Sequence, residues 1–201
     1  AFYLDVLKDR LYTTGQNSAA RRSAQTGIWH VTQTVLKLLA PILSFTAEEA
    51  WKALHGENAP ATIFTEVYHS IPLPADADAL MTKWDRIRAI RADGMRKIEE
   101  VRSTGEVGSS LAATVTLTAD GDDYTILSSL GDDLRFVLIV SDATVQQRAG
   151  DVGIQVQATA NEKCERCWHH RDGGGRGPNH ASLRAGALAT PVGDGEHRQH
   201  A

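Results

Sequence analysis

Hydrophobic residues in the first half of the chain recur at helical intervals. Leu4, Leu7 and Leu11 fall on one stripe, which predicts a first helix. After the polar break at residues 13–17, a second helix is predicted that ends at Pro41. Its apolar stripe consists of Ala24, Ile28, Val31, Val35 and Leu38. We expect the two helices to pack antiparallel and to bury this stripe.

Two more helices are predicted before residue 105. Thr46 and Glu49 have the spacing of a capping box, which predicts a third helix from near Ala47 to near Gly56, with Phe45 packed on its first turn. Residues 56–79 contain several prolines and predict an extended crossing. A fourth helix then follows, with an apolar face made of Trp84, Ile87, Ile90, Ile98 and Val101.

After Gly105 the hydrophobic period becomes alternating. Strands are predicted around Val115 and Leu117, over the apolar run 136–140, and around Ile154 and Val156. A helical stripe lies between the first two strands: Tyr124, Leu127, Leu130 and Leu134.

This pattern predicts a mainly α fold with a small α+β unit. We expect a helical bundle and long helix over residues 1–105, a strand-helix-strand-strand module over 106–160, and a Gly-rich Cys/His tail over 161–201.

Composition and charge narrow the class of protein. The chain has 201 residues, 42% of them hydrophobic, which suits one substantial domain or two small ones. Its apolar runs are shorter than the roughly 18 residues of a membrane span, and its first residues lack the basic flank of a signal peptide. We therefore expect a cytoplasmic protein without a membrane partner.

The net charge of −4 is unevenly distributed. Residues 1–44 carry five Lys or Arg against two acids, whereas residues 111–160 carry two against seven. The basic end is the better candidate for contact with phosphate, although a solvated helix face has the same composition. The acidic 106–160 module has no Gly-rich phosphate loop, which argues against nucleotide binding there.

The spacing of Cys164 and Cys167 is that of a metal knuckle or a redox pair. Two such thiolates can fill two corners of a tetrahedral zinc site, and two more ligands are then needed. The candidates to complete the site are His169, His170, His180 and His197. A thiol-redox role is an alternative, but the pair opens a loop instead of starting a helix after a strand.

Several segments resemble one known family. Residues 2–12, 21–26 and 39–51 look like the anticodon-binding helical domain of bacterial isoleucyl-tRNA synthetases. Residues 106–113, the segment ending at Ser141 and the Lys-Cys-Glu-Arg-Cys-Trp run at 163–168 are similar to the C-terminal junction and zinc-binding extension of that family. The resemblance runs in order over nearly the whole chain.

The resemblance implies attachment of isoleucine to its tRNA, with ATP and magnesium used by a class I catalytic body that also edits. Signatures of that catalytic body do not occur in this sequence, so we expect it to precede Ala1 and this chain to dock on it without an active site of its own. The implied partner is isoleucine tRNA and not DNA.

The sequence departs from the family near its end. The family closes its zinc site with a second cysteine pair, but residues 183–191 contain no cysteine, although a Gly-Asp-Gly-Glu ending follows at 193–196. The missing pair favours an empty or partly occupied zinc site.

Candidate tRNA contacts follow from charge and from planar side chains. For phosphates they are Lys8, Arg10, Arg21 and Arg22, and for bases Gln25, Trp29 and His30. In the tail they are Lys163, Arg166, Trp168 and Arg171. The pattern favours partial burial of Trp29 over a base contact, because Trp29 follows Ile28 on the buried stripe. Gln25 and His30 are also compatible with simple solvation, and the tail is equally suited to packing on the parent enzyme. Two other hypotheses remain: a thiol-redox or metal-dependent enzyme using Cys164 and Cys167, and a purely structural appendage.

Overall fold

Helices dominate the first half of the chain. The computed structural model describes residues 2–58, 60–71, 73–165 and 167–171. The helices of this half are α1 Phe2–Tyr12, α2 Ala19–Leu39, α3 Ser44–His55 and α4 Ala77–Ser103, with 3-10 turns at Gly56–Asn58 and Ile63–Thr65. α1 packs on α2, and α2 packs on α3. The helices predicted from hydrophobic periodicity are therefore present.

The start of α3 differs from the prediction. The Ala47 amide already donates to the Leu43 carbonyl at 2.8 Å, so the helix begins at Ser44 and Thr46 lies inside its first turn. The Leu43 cap position provides no side-chain hydrogen bond, and Phe45 is 93% exposed. The predicted capping box and the packing of Phe45 were therefore wrong, because α3 begins at Ser44, two residues before the predicted cap residue Thr46.

The predicted buried stripe of α2 was also wrong over its second half. The buried residues of α2 are Ala20, Ala24 and Gln33, whereas three residues of the stripe are 43–55% exposed: Val31, Val35 and Leu38. A periodic stripe shows that one face is apolar, but only the neighbouring elements decide which residues are covered.

The second half of the chain forms a small mixed sheet with short helices. Its elements are β1 Ala113–Ala119, α5 Gly121–Ser128, α6 Leu134–Leu138, β2 Asp142–Gln147 and β3 Gly153–Ala158, with 3-10 turns at Ser110–Ala112 and Gly131–Asp133. The strand order is β2-β1-β3. β1 is parallel to β2 and antiparallel to β3.

The apolar run at 136–140 forms the end of α6 and the turn after it, so the strand predicted there was wrong. β2 begins two residues later, at Asp142. Phe136, Val137 and Leu138 are all buried, and a fully buried run has no period that separates a strand from a helix. Ile139, at φ 56°, ends the helix in the left-handed conformation.

One hydrophobic core joins α4 to the sheet. Ile87, Ile90 and Ile98 of α4 are at most 3% exposed and belong to the same cluster as Val115 and Leu117 of β1. α4 passes closely over α6 at Gly94, where an added Cβ would lie 3.3 Å from Leu138 Cδ2. The glycine inside the predicted fourth helix therefore permits this close approach.

A short hairpin follows the sheet. β4 Glu162–Lys163 pairs antiparallel with β5 His170–Arg171, and the cysteine pair lies in the loop between them. The coarse prediction, mainly α with a small β unit, is confirmed. The Gly-rich part of the predicted tail, from residue 172 onward, lies outside the described residues.

Candidate functional site

The basic surface predicted at the start of the chain lies on α1 and α2. Lys8 is exposed and pairs with Asp5 at 2.9 Å, one turn earlier on α1. The hydrogen bond from Lys8 lowers the pKa of Asp5. Arg22 and Gln25 are exposed one turn apart on α2, whereas Arg21 is half-buried and directs Nη1 toward the Thr14 carbonyl at 3.4 Å. Lys8, Arg22 and Gln25 are thus accessible to a ligand.

Arg10, in contrast, points inward. Its Nη2 donates to Asp133 Oδ1 at 2.9 Å, and the two side chains are only 15% and 9% exposed. Burial raises the pKa of Asp133, although the neighbouring Arg10 acts in the opposite direction. The pair ties α1 to the turn before α6, 123 residues away, so the structure gives Arg10 a structural partner.

Trp29 and His30 form an aromatic cluster with His69. The Trp29 ring is 42% exposed and packs edge-on against both imidazoles, at centroid distances of 5.1 Å and 5.4 Å. His30 Nδ1 lies 2.8 Å from His69 Nε2, which holds the 66–71 crossing against α2. Trp29 is therefore partly covered by the two imidazoles and partly exposed, and the sequence did not indicate that His69 is its neighbour.

The cysteine pair lies in a tight turn, which we call the knuckle (residues 164–169). The Cys164 amide donates to the His169 carbonyl at 2.8 Å, and the Trp168 amide donates to the Cys164 carbonyl at 2.9 Å. Trp168 has φ 64°, in the left-handed region. Its ring is 61% exposed, and the Lys163 ammonium lies 5.4 Å from the ring centroid. The knuckle thus presents a flat ring beside a positive charge.

His169 anchors the knuckle to the helical half of the protein. The ring is 1% exposed, packs edge-on against Phe136 at 5.7 Å, and its Nε2 donates to Asp9 Oδ2 at 3.0 Å. This contact joins residues 160 positions apart. It brings the knuckle to α1 at Asp9.

His170 adds a second anchor. Its amide donates to Ser141 Oγ at 2.6 Å, and its Nδ1 lies 2.7 Å from the Asn161 carbonyl oxygen. The Ser141 hydroxyl in turn donates to the Leu111 carbonyl. The partners Asp9, Ser141 and Asn161 had no sequence signal, because each is an ordinary polar residue far from the knuckle or outside its motif.

The described residues do not fit a four-ligand zinc site. Cys164 and Cys167 form no disulfide, but no group of three or more potential metal ligands occurs within the described part of the chain. His169 Nε2 and His170 Nδ1 already have oxygen partners. Arg166, His180 and His197 lie outside the described residues.

The environment of Cys167 favours the thiol form. Burial raises its pKa, neighbouring Cys164 adds to the increase, and a hydrogen bond from the His169 amide opposes it. Reactive cysteines have a lowered pKa, so this environment does not favour the thiol-redox alternative.

Within the described residues, no helix is both long and apolar enough to cross a membrane.

The helical half carries the exposed cations Lys8 and Arg22, and sequence comparison gives its class. The family described as "Anticodon-binding domain of tRNA ligase" matches residues 1–117. This chain belongs to that family.

Similar full-length proteins extend the match to the whole chain. The chain is 56% identical to the isoleucine–tRNA ligase of Bordetella avium over 98% of its length, 58% to that of Bordetella parapertussis over 100%, and 51% to that of Cupriavidus taiwanensis over 100%. It spans only 21–22% of the length of these relatives.

Proposed function

We propose that this chain is the part of an isoleucine–tRNA ligase that grips the anticodon stem-loop of isoleucine tRNA. The observation that carries the proposal is the exposed Trp168 ring, held on a knuckle that His169 docks on helix α1. Single-stranded RNA loops are recognised by stacking unpaired bases on aromatic rings and by cations at the phosphates.

Trp168 is suited to act as a stacking platform. Two backbone hydrogen bonds fix its turn, so little conformational freedom is lost when a base stacks on the ring. Lys163 is placed beside the same ring for a phosphate or for a cation–π contact. Arg166 and Arg171 flank the ring in sequence and are further candidates.

The second contact region is α1 with the start of α2. Lys8 and Arg22 are exposed and are the best-placed phosphate ligands, with Arg21 behind Arg22. Gln25 lies one turn after Arg22 and can reach a base or a sugar hydroxyl. Trp29 and His30 are a second, half-covered aromatic surface farther along α2.

Fluorescence anisotropy with isoleucine tRNA and a non-cognate tRNA tests this function. Because stacking contributes about 1–3 kcal/mol per base, Trp168→Ala is expected to weaken binding roughly 5- to 150-fold. The matched control is Phe64→Ala, which removes an aromatic ring that is 57% exposed and lies far from the knuckle in sequence. Equal tRNA affinities of the unsubstituted chain and the Trp168→Ala variant would contradict the assignment of Trp168 as the stacking platform.

Charge reversal tests the phosphate contacts. Arg21→Glu with Arg22→Glu should weaken binding and reduce its salt dependence, because fewer counterions are then released. A tRNA affinity that does not change with salt concentration would show that α2 does not contact the phosphate backbone.

We also propose that the exposed apolar end of α2 and start of α3 dock on the catalytic body. The chain covers about a fifth of its relatives, so a much longer polypeptide is available to cover this surface. The exposed apolar residues here are Val31, Val35, Leu38, Ile42, Leu43 and Phe45. ATP and magnesium chemistry then belongs to that body.

A calorimetric titration of this chain into the separately prepared catalytic body tests the docking surface. Phe45→Asp should abolish the heat of binding. Met81→Asp, at a 59% exposed position on α4, should leave it unchanged. Equal effects of the two variants would contradict this surface.

For zinc we propose at most partial occupancy at Cys164 and Cys167. A site with two protein ligands leaves the metal largely hydrated, whereas tight structural sites use four. Stoichiometric zinc that survives dialysis against a mild chelator would overturn this proposal and would point to His180 or His197 as further ligands.

A further inference from the structure

A buried hydroxyl connects the hairpin that carries the knuckle to the small sheet. Ser141 is 3% exposed and lies in the turn between α6 and β2. Its Oγ donates to the Leu111 carbonyl and accepts the His170 amide at 2.6 Å. Its own amide donates to the Ala113 carbonyl at 3.2 Å, at the start of β1. The sheet therefore fixes where this hydroxyl lies, and the hydroxyl fixes where His170 lies.

The position of His170 affects both parts of the proposed stacking site. His170 follows Trp168 by two residues, and it pairs across the hairpin with Lys163. The Lys163 ammonium lies over the Trp168 ring, 5.4 Å from its centroid. The hydrogen bond between Ser141 and His170 therefore acts where the strand after the ring meets the strand that carries the cation.

The contact at Ser141 differs in kind from the contact at His169. His169 is held through its side chain, by Asp9 and by Phe136. A side-chain contact can persist while the backbone turns, because rotation about the side-chain bonds compensates. A hydrogen bond to a backbone amide instead fixes the direction of a rigid peptide plane. His169 thus holds the knuckle on α1, whereas Ser141 sets the path of the chain directly after the ring.

Stacking makes this path important. A base gains its stacking energy from close contact over the whole ring, and a gap of about 0.5–1 Å already forfeits a quarter to a half of the dispersion attraction. Binding groups therefore have to be held to about 0.5 Å by the residues behind them. The ring of Trp168 is 61% exposed, so most of its surface is not held by neighbours and its orientation depends on the backbone.

We propose that Ser141 is a positioning residue of the stacking site. Its hydroxyl fixes the orientation of the Trp168 ring beside Lys163, and through that ring it raises the affinity for an unpaired base of RNA. The second half of this inference rests on the proposed function. The first half concerns this chain alone and is tested without RNA.

Proton NMR of the full chain tests the first half. A ring shifts protons above its face upfield, so the Lys163 methylene protons next to the ammonium should be shifted upfield in the unsubstituted chain. Ser141→Ala should lose most of this shift, because the His170 amide then has no hydroxyl to bind. Ser141→Thr keeps the hydroxyl and should retain the shift. An unchanged shift in Ser141→Ala would overturn the proposal.

Two further variants make this measurement specific. Ser129→Ala is the matched control, because Ser129 is an exposed serine after α5 whose hydroxyl also donates to a backbone carbonyl, that of Ile126, at 2.6 Å. It should leave the Lys163 shift unchanged, and an equal loss in both serine variants would overturn the proposal. If Ser141→Ala does not fold, Ser141→Cys replaces it, since sulfur is a weak acceptor of similar size. Ser141→Cys should then lose part of the shift, and an unchanged shift would again overturn the proposal.

A double-mutant cycle with isoleucine tRNA tests the second half. Ser141→Ala should weaken binding about 2- to 12-fold, the range that one neutral hydrogen bond spans. In the Trp168→Ala background the same change should have no further effect, because Ser141 acts through the ring. An effect of equal size with and without the ring would overturn the positioning role, since the hydroxyl would then act elsewhere.

The same cycle separates this inference from the proposed function. Unchanged tRNA affinity of Ser141→Ala, where Trp168→Ala weakens binding, would overturn the positioning role and leave the stacking platform standing. Equal affinities of the unsubstituted chain and Trp168→Ala would instead refute the platform. In that case the NMR shift of Lys163 still decides whether Ser141 sets the orientation of the ring.

Discussion

Replacing His169 by alanine is expected to release residues 161–171 from the body of the protein without unfolding the rest. The imidazole is 1% exposed, donates to Asp9 Oδ2 at 3.0 Å and packs against Phe136. A hydrogen bond to a carboxylate contributes about 1.5–3 kcal/mol, and an edge-on ring contact about 0.5–1.5 kcal/mol. The docking free energy should therefore fall by about 2–4 kcal/mol.

Native-state hydrogen exchange followed by mass spectrometry measures this loss. Since 1.4 kcal/mol is a factor of ten, peptides covering 161–171 should exchange roughly 30- to 700-fold faster. The amides to follow are those of Cys164, Trp168 and His170, which are hydrogen-bonded in the docked knuckle. Exchange in β1 should stay unchanged, because its core does not include His169.

Two further variants make the test specific. Asp9→Asn keeps an oxygen acceptor for Nε2, so its effect should be clearly smaller than that of His169→Ala. His69→Ala removes an imidazole from the pair with His30 and should leave 161–171 protected. Less than a threefold change in His169→Ala, or an equal increase in β1, would refute the view that this ring is the anchor.

Three other outcomes are expected. Trp51→Ala should lower the free energy of unfolding, measured in urea, by about 3–5 kcal/mol, because the Trp51 side chain is 1% exposed. Phe45→Ala, at a 93% exposed position, should change the free energy of unfolding by less than about 0.5 kcal/mol. The hydrogen bond from Arg86 lowers the pKa of Asp123. The Arg86–Asp123 ion pair should therefore add at most about 1 kcal/mol to the free energy of unfolding. This contribution should be present above about pH 4 and should be lost as the pH falls through the lowered pKa of Asp123 in the folded protein. A parent and an Asp123→Asn variant that differ equally at all pH values would contradict this. Because burial raises the pKa of Cys167, iodoacetamide should alkylate it several-fold more slowly at pH 7 than in the unfolded chain, and equal rates would refute the assignment.

The candidate site was only partly visible in the sequence. Residue type and spacing singled out Cys164, Trp168 and the exposed Arg22, because thiolate spacing, aromatic character and charge are local properties. Arg10 has the same charge as Arg22, yet the structure turns it inward to Asp133. Asp9 had no signal, because its importance comes only from His169, which lies 160 positions away in the chain.

The sequence by itself determined helices α1 to α5, strands β1 and β3, and the α4 face that packs on the sheet, since these depend on the 3.6-residue and two-residue periods of the backbone. The tertiary structure decided that residues 134–138 form a helix, because a fully buried apolar run has no period to read. It also decided which part of α2 stays exposed and brought Asp9 to His169. Such contacts join side chains that the folded backbone places together, and their sequence separation leaves no local trace of the pairing.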